Sequence, residues 1–226
     1  MKLSVIVPVY NEKDFIGEII KQIEQVEIYK EIIVVDDCSI DGTDEYLKRL
    51  SDKNNIKIIY HDWNQGKGAC IRTALKYAKG DYVIIQDADL EYNPEEYNKL
   101  LDTAYKNKAL VVYGSRFLKG SFKKFSPLQY LANRILTFFT NFLYGAHLTD
   151  IETCYKLFYR DIISKFVIES NRFDIEVELT SKVLKNKIKI IEVPIEYRGR
   201  RYREGKKIKA KDGIISFIKL FLYRLK

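Results

Sequence analysis

The sequence predicts an α/β protein with a mostly parallel central sheet and helices on both faces. Three observations predict it. Over residues 1–115, short β-branched apolar runs alternate with segments whose apolar residues recur at helical spacing. The runs are apolar at consecutive positions, as in strands buried on both faces. Three of them end in polar clusters, Pro8–Glu12, Asp36–Asp41 and Asp87–Glu91. In such sheets, ligands gather beyond the carboxyl ends of the strands.

The elements follow in order. Leu3–Val9 reads as a buried strand in which Pro8 is expected to stop pairing. Asn11–Asp14 offer caps, and Ile16, Ile19, Ile20, Ile23 and Val26 then mark one helix face. Glu31–Val35 is the second strand. Asp41-Gly42-Thr43 turns into a helix through Leu50, with Asp41 as its N-cap. Ile56–Tyr60 is the third strand, and Asn64-Gln65-Gly66-Lys67-Gly68 opens a helix to Ala78. Strand 82–86 precedes the acidic stretch, and Asn93-Pro94 starts the next helix. Ala109–Gly114 is the fifth strand. Helix 174–186 and strand Ile188–Val193 complete the sheet.

Two segments differ in character. Residues 121–145 are apolar around much of a helix, with Lys119, Lys123 and Lys124 before it and Arg134 inside it. This reads either as a core helix or as one lying in a membrane surface. Residues 211–226 form a second amphipathic pattern carrying Lys211, Lys219, Arg224 and Lys226. The division expected is a catalytic unit over 1–195 and a basic loop with an amphipathic helix over 196–226.

Charge separates these parts. Residues 196–226 hold eleven Lys and Arg against three Asp and Glu, while residues 1–195 balance at 28 of each. The net charge of +8 is therefore a property of the tail, which suits phosphates or anionic headgroups. A balanced body speaks against a nucleic-acid-binding protein. No apolar run reaches the roughly 18 residues of a membrane span, and no signal peptide is read at the N-terminus. Cys38, Cys70 and Cys154 have no metal-ligand spacing and read as reduced intracellular thiols. His61 and His147 read as packing or surface residues.

The chemistry starts at Asp87-Ala88-Asp89. Two carboxylates at the end of a buried strand need a partner. If the chain turns there they converge, and the partner that suits hard oxygens is a divalent cation shared with substrate phosphates. Glycines at 66 and 68 offer backbone N–H groups to a diphosphate at a helix start. Neither a Walker A nor a G-x-G-x-x-G pattern is present.

Four ordered motifs resemble family 2 glycosyltransferases: Ser4–Glu12, Val35–Thr43, Asn64–Gly68 and Asp87–Asp89. Gly114-Ser115-Arg116, Leu148–Lys156 and Glu192–Ile195 are similar to the branch that makes dolichol- and polyprenyl-phosphate hexoses. The resemblance implies a GT-A fold and inverting transfer of a hexose from a nucleotide-sugar to a lipid phosphate. Mannose from GDP-mannose is the first expectation; a UDP-sugar donor or a soluble glycan acceptor is the alternative. It implies donor contacts from Pro8, Tyr10, Glu12, Asp37, Lys67, Asp87, Ala88, Asp89, Arg200 and Lys206. Mg²⁺ or Mn²⁺ would be held by Asp87, Asp89 and Glu91. Arg116 and Arg134 would hold the acceptor phosphate. Asp150 would position, act as base or cap a helix, and it joins Asp89 and Arg116 as an expected catalytic residue. A peripheral place on the cytoplasmic membrane face follows from the same resemblance. Processive relatives carry Gln-x-x-Arg-Trp in the tail, and this sequence does not.

Overall fold

The computed structural model describes residues 1–50, 53–118, 127–199 and 210–226. The chain runs β1 (Leu3–Val9), α1 (Lys13–Gln25), β2 (Lys30–Asp36), α2 (Thr43–Lys48), β3 (Ile56–Tyr60), α3 (Lys67–Leu75), β4 (Tyr82–Ile85), α4 (Glu96–Asn107) and β5 (Val111–Ser115). It continues with α5 (Pro127–Tyr144), β6 (Lys156–Tyr159), α6 (Arg160–Ile163), α7 (Ile175–Lys185), β7 (Ile190–Pro194) and α8 (Ala210–Leu225). Seven strands form one sheet in the order β3-β2-β1-β4-β6-β5-β7.

β1 pairs in parallel with β2 and β4, and β5 with β7. β6 runs antiparallel to both β4 and β5. This strand was not expected. It has four residues and begins with a lysine, so it lacks the apolar run that marks the others. Pro8 also behaves differently from expectation. Pairing with β4 ends at Ile6, but the register with β2 continues to Val9 opposite Asp36.

The core lies on both sides of the central strands. Val5, Ile6, Val7, Val34 and Val35 are fully buried, and Ile16, Ile19, Ile20 and Ile23 place the expected face of α1 against them. Burial of each such side chain contributes about 1.5–3 kcal/mol. A smaller cluster of Leu136, Leu148, Ile151, Val177, Leu220 and Tyr223 joins α5, α7 and α8. The rings of Phe139 and Phe217 stand edge to face at 5.2 Å across α5 and α8.

The outer side of these two helices is apolar. Leu128, Leu131, Ile135, Phe138 and Phe142 are exposed along α5, three or four residues apart and hence on one face. Ile214, Ile215, Ile218, Leu222 and Leu225 are exposed on α8. The inner side of α5 carries Asn133, Leu136, Thr137 and Thr140, all buried. Among the described residues, no helix is long and apolar enough to cross a membrane.

Candidate active site

The carboxyl ends of β1, β2, β4 and β5 deliver the polar clusters to one edge of the sheet. Hydrogen bonds stitch the first two loops together. Asn11 N–H donates to Ser39 Oγ at 2.9 Å, and Ile40 N–H to Asn11 Oδ1 at 2.8 Å. Asp41 accepts from the Lys13 and Thr43 N–H groups, both at 3.0 Å. It therefore fastens the starts of α1 and α2, while the residue in the N-cap position of α2 is Gly42. Pro8 and Tyr10 are half-buried, and Glu12 is buried with its N–H donating to Thr43 Oγ1 at 3.0 Å.

Asp37 is buried and clamps the next loop. Its carboxylate accepts from Gln65 N–H at 2.9 Å and Gly66 N–H at 2.7 Å, and lies 2.7 Å from His61 Nδ1. His61 Nε2 meets Thr73 Oγ1 at 3.0 Å. This histidine is thus tied into the site edge, which the sequence reading did not anticipate. Asp37, His61 and Cys70 have ligand atoms within 4.8 Å of one another. Burial, then the charge of Asp37, pushes the Cys70 thiol up, and Cys70 Sγ lies 3.9 Å from His61 Nδ1.

The glycine-rich loop corrects one expectation. The Gly68 and Ala69 N–H groups both donate to Asn171 O, at 2.9 and 3.3 Å, so the start of α3 is spent on the protein's own backbone and not kept for a diphosphate. The glycines permit that approach. A Cβ on Gly66 would sit 2.3 Å from Asn171 O, and one on Gly68 would sit 2.2 Å from Ser170 O. Gly66 also has φ +99°, which side chains rarely adopt. Gly66→Ala is expected to cost about 2–4 kcal/mol from strain and overpacking together. An unchanged midpoint in urea unfolding would contradict this close approach.

The loop delivers Lys67 to the end of β4. Its Nζ lies 2.7 Å from Asp87 Oδ1 and 3.0 Å from Glu176 Oε1. Burial alone would lower this ammonium, but Asp87, with Glu176, holds it well above the usual lysine range. Glu176 also pairs with Lys156, which is fully buried and donates to Thr153 O. Glu176 and Lys156 had no role in the sequence reading. Their signal was faint: an acidic residue in the first turn of α7, and a lysine opening a four-residue strand.

Asp87 and Asp89 are both half-buried. Gln86, fully buried, accepts from the Tyr97 and Tyr155 hydroxyls at 2.5 and 2.6 Å and donates to Asp87 O at 2.9 Å. Ala88 is buried. The chain then turns through Leu90 at φ +60°, and Glu91 N–H donates to Asp89 Oδ1 at 3.1 Å. Glu91 is directed elsewhere: its Oε2 accepts from the Tyr197 hydroxyl at 2.6 Å, and its carbonyl from Arg198 N–H at 2.9 Å. Asp87 and Asp89 offer the hard oxygen donors that suit Mg²⁺ or Mn²⁺. Among the described residues, the three carboxylates of Asp87, Asp89 and Glu91 do not converge as Asp37, His61 and Cys70 do.

Beyond β5, Arg116 and Asp150 form a buried bidentate pair. Arg116 Nε and Nη2 donate to the carboxylate at 2.7 and 2.8 Å, and Arg116 N–H does so at 3.1 Å. Asn133, on the inner side of α5, adds a fourth bond at 3.0 Å. Each Asp150 oxygen therefore accepts two. Burial would raise this carboxyl, but Arg116 outweighs it and holds Asp150 below the usual range. Glu192 supports the loop by accepting from the Thr149 and Asp150 N–H groups. No helix begins at Asp150, so it is not a cap; residues 151–155 bend into β6. Arg134, next to Asn133, is exposed on α5. Arg116 also faces the Tyr197 ring at 5.2 Å. Arg200 and Lys206 lie outside the described residues.

The Glycosyl transferase family 2 model matches residues 4–167. A dolichol-phosphate mannosyltransferase of Pyrococcus furiosus is 38% identical over 53% of this chain, which spans 34% of that protein. A polyprenol monophosphomannose synthase of Mycolicibacterium smegmatis is 27% identical over 87% of this chain and 77% of its own length. A glucosyl-3-phosphoglycerate synthase of Mycobacterium tuberculosis, solved with Mn²⁺, UDP and glucosyl-3-phosphoglycerate, superposes with a TM-score of 0.73. It shares 16% identity over 99% of this chain and 78% of its own, a likeness of GT-A-like fold alone. With a match over most of its length and the strand-end motifs in place, this chain is a glycosyltransferase and belongs to glycosyl transferase family 2.

Proposed function

We propose that the protein transfers a hexose, mannose from GDP-mannose in the first instance, to a polyprenyl phosphate as a peripheral enzyme on the cytoplasmic membrane face. The observation that carries this reading is α5. Its outer face is a stripe of exposed Leu, Ile and Phe, and its inner face holds Asn133 against the Arg116–Asp150 pair. One helix thus ties an apolar surface to the charged end of β5, which suits an acceptor with a lipid tail and a phosphate head. The names of the Pyrococcus and Mycolicibacterium relatives support it.

In this reading the nucleotide-sugar lies along the ends of β1, β2 and β4, near Pro8, Tyr10, Glu12 and Asp37, with Lys67 and the Asp87-Ala88-Asp89 turn at its diphosphate. A divalent cation held by Asp87 and Asp89 would offset charge on the leaving diphosphate. Asp37 acts by fixing the 64–66 loop, and Asp150 by fixing Arg116. Arg116 and the exposed Arg134 attract the acceptor phosphate, so that positioning and electrostatics supply most of the rate.

The test is transfer of radiolabelled hexose from GDP-mannose, with UDP-glucose in parallel, to polyprenyl phosphate in anionic liposomes. Wild type is expected to sediment with the liposomes and to form the lipid-linked sugar. Phe138→Asp/Phe142→Asp is expected to lose at least tenfold in both, at unchanged thermal stability, since both side chains are exposed. Full lipid transfer by a variant that no longer sediments would sink the membrane-surface reading.

A further inference from the structure

We propose that Glu152 is the general base of the reaction, taking the proton from an acceptor oxygen that arrives as O–H, in a hydroxyl or a phosphate monoanion. The inference rests on the transferase reading above, and only on its donor half. Asp150, the carboxylate expected in this role, is saturated: each of its oxygens already accepts two hydrogen bonds. Glu152, two residues on, is the opposite case. Its Oε1 is buried and has no hydrogen-bond partner. A buried polar atom without a partner costs stability, and a substrate group is one way to satisfy it.

Charged groups of both ionic clusters act on it. Glu176 on α7 and Asp150 on its own loop repel its charge, while Lys156 on β6 and Arg116 after β5 attract it. One pair belongs to the network that reaches Lys67 and Asp87; the other is the Arg116–Asp150 pair beside α5. Burial first, and Glu176 next, push its carboxyl up to about 7. A base tuned near the working pH is the most effective. In the step, the acceptor O–H bond breaks and its proton passes to Glu152 Oε1. The freed electron pair forms the bond to the anomeric carbon. The bond from that carbon to the diphosphate breaks, and its electrons leave with the nucleoside diphosphate. Glu152 returns the proton to solvent after product release.

The experiment follows slow hydrolysis of GDP-mannose and UDP-glucose in Mn²⁺, with water as the O–H acceptor, from pH 5.5 to 8.5. Wild-type kcat should rise through about pH 7. Glu152→Gln should lose about 100-fold or more and flatten that rise, with unchanged melting at pH 6, and Glu152→Asp should restore part of it. Unchanged rate and profile in Glu152→Gln overturns the assignment. So does a lower rate with the rise intact and melting reduced, which marks a structural residue. Transfer to polyprenyl phosphate is run alongside. If lipid transfer fails while Glu152-dependent hydrolysis persists, the lipid reading falls and Glu152 stands. If lipid transfer proceeds in Glu152→Gln as in wild type down to pH 5.5, Glu152 falls and the lipid reading stands. Should neither donor turn over, a carbon-13 carboxyl titration of the folded wild type, assigned with Glu152→Gln, decides. A midpoint near 7 supports the base, and one near the ordinary glutamate value of about 4.3 overturns it.

Discussion

Arg116→Met should be among the most damaging single substitutions in the site, lowering stability by about 3–5 kcal/mol, because it strands a buried carboxylate. Asp150 is fully buried, and two of its four hydrogen bonds come from the Arg116 side chain. The loss corresponds to roughly 6–20 °C in melting temperature for a chain of this size. The pH dependence has a defined sign. In wild type the Asp150 carboxyl is held below its ordinary value, so the pair stabilises above that value and is lost as pH falls through the lowered one. In Arg116→Met burial raises the same carboxyl, so ionising it now costs stability. The gap between variant and wild type should be widest at pH 7–8 and narrow in acid. Arg116→Met/Asp150→Asn should recover part of the loss, since the uncompensated charge is gone. A single variant melting within about 2 °C of wild type at pH 7.5 would show that the pair does not hold this edge of the sheet.

The stretches legible in the sequence are those whose physics is local. The β-branched runs gave six of the seven strands, and the isoleucines of α1 gave its buried face. The strand-end motifs of β1, β2 and β4 lie together at one edge of the sheet. β6 was not legible because its antiparallel place depends on a partner far away. A lysine opening a strand is read as exposed, and Lys156 is buried only because Glu176, 20 residues on, neutralises it. Glu152 was passed over for the same reason: one carboxylate in a motif is indistinguishable from its neighbour until the hydrogen bonds are counted. The Gly66–Gly68 loop was read as a phosphate cradle because its packing against residues 170–171 lies about 100 positions away. The apolar 121–145 segment was ambiguous between core and surface. From Leu128 onward one face of the helix is buried and the other exposed.

Asp89→Asn should reduce hexosyl transfer by about 10²–10³, the effect of removing one electrostatic group that acts on a developing charge. The amide oxygen can still accept the Glu91 N–H that Asp89 Oδ1 accepts at 3.1 Å, so the turn through Leu90 should survive and the fold with it. What disappears is negative charge for a divalent cation. A second readout follows that does not depend on turnover. At 100-fold excess over its Kd, a ligand specific to the folded state adds about 2.7 kcal/mol. GDP or UDP with Mn²⁺ should therefore raise the melting temperature of wild type clearly more than the nucleotide alone, and in Asp89→Asn that increment should vanish. Glu91→Gln is the internal contrast. Its amide oxygen can keep the hydrogen bond from Tyr197. If Glu91 serves only to hold Tyr197 and the 197–198 segment, this variant keeps the Mn²⁺ increment. If it loses the increment as Asp89→Asn does, Glu91 belongs to the cation's shell when substrate is bound, and the Tyr197 contact is what it exchanges for that role. Retention of both turnover and the Mn²⁺ increment in Asp89→Asn would remove the cation from this turn altogether, leaving the half-buried Lys67 at Asp87 as the positive charge for the leaving diphosphate.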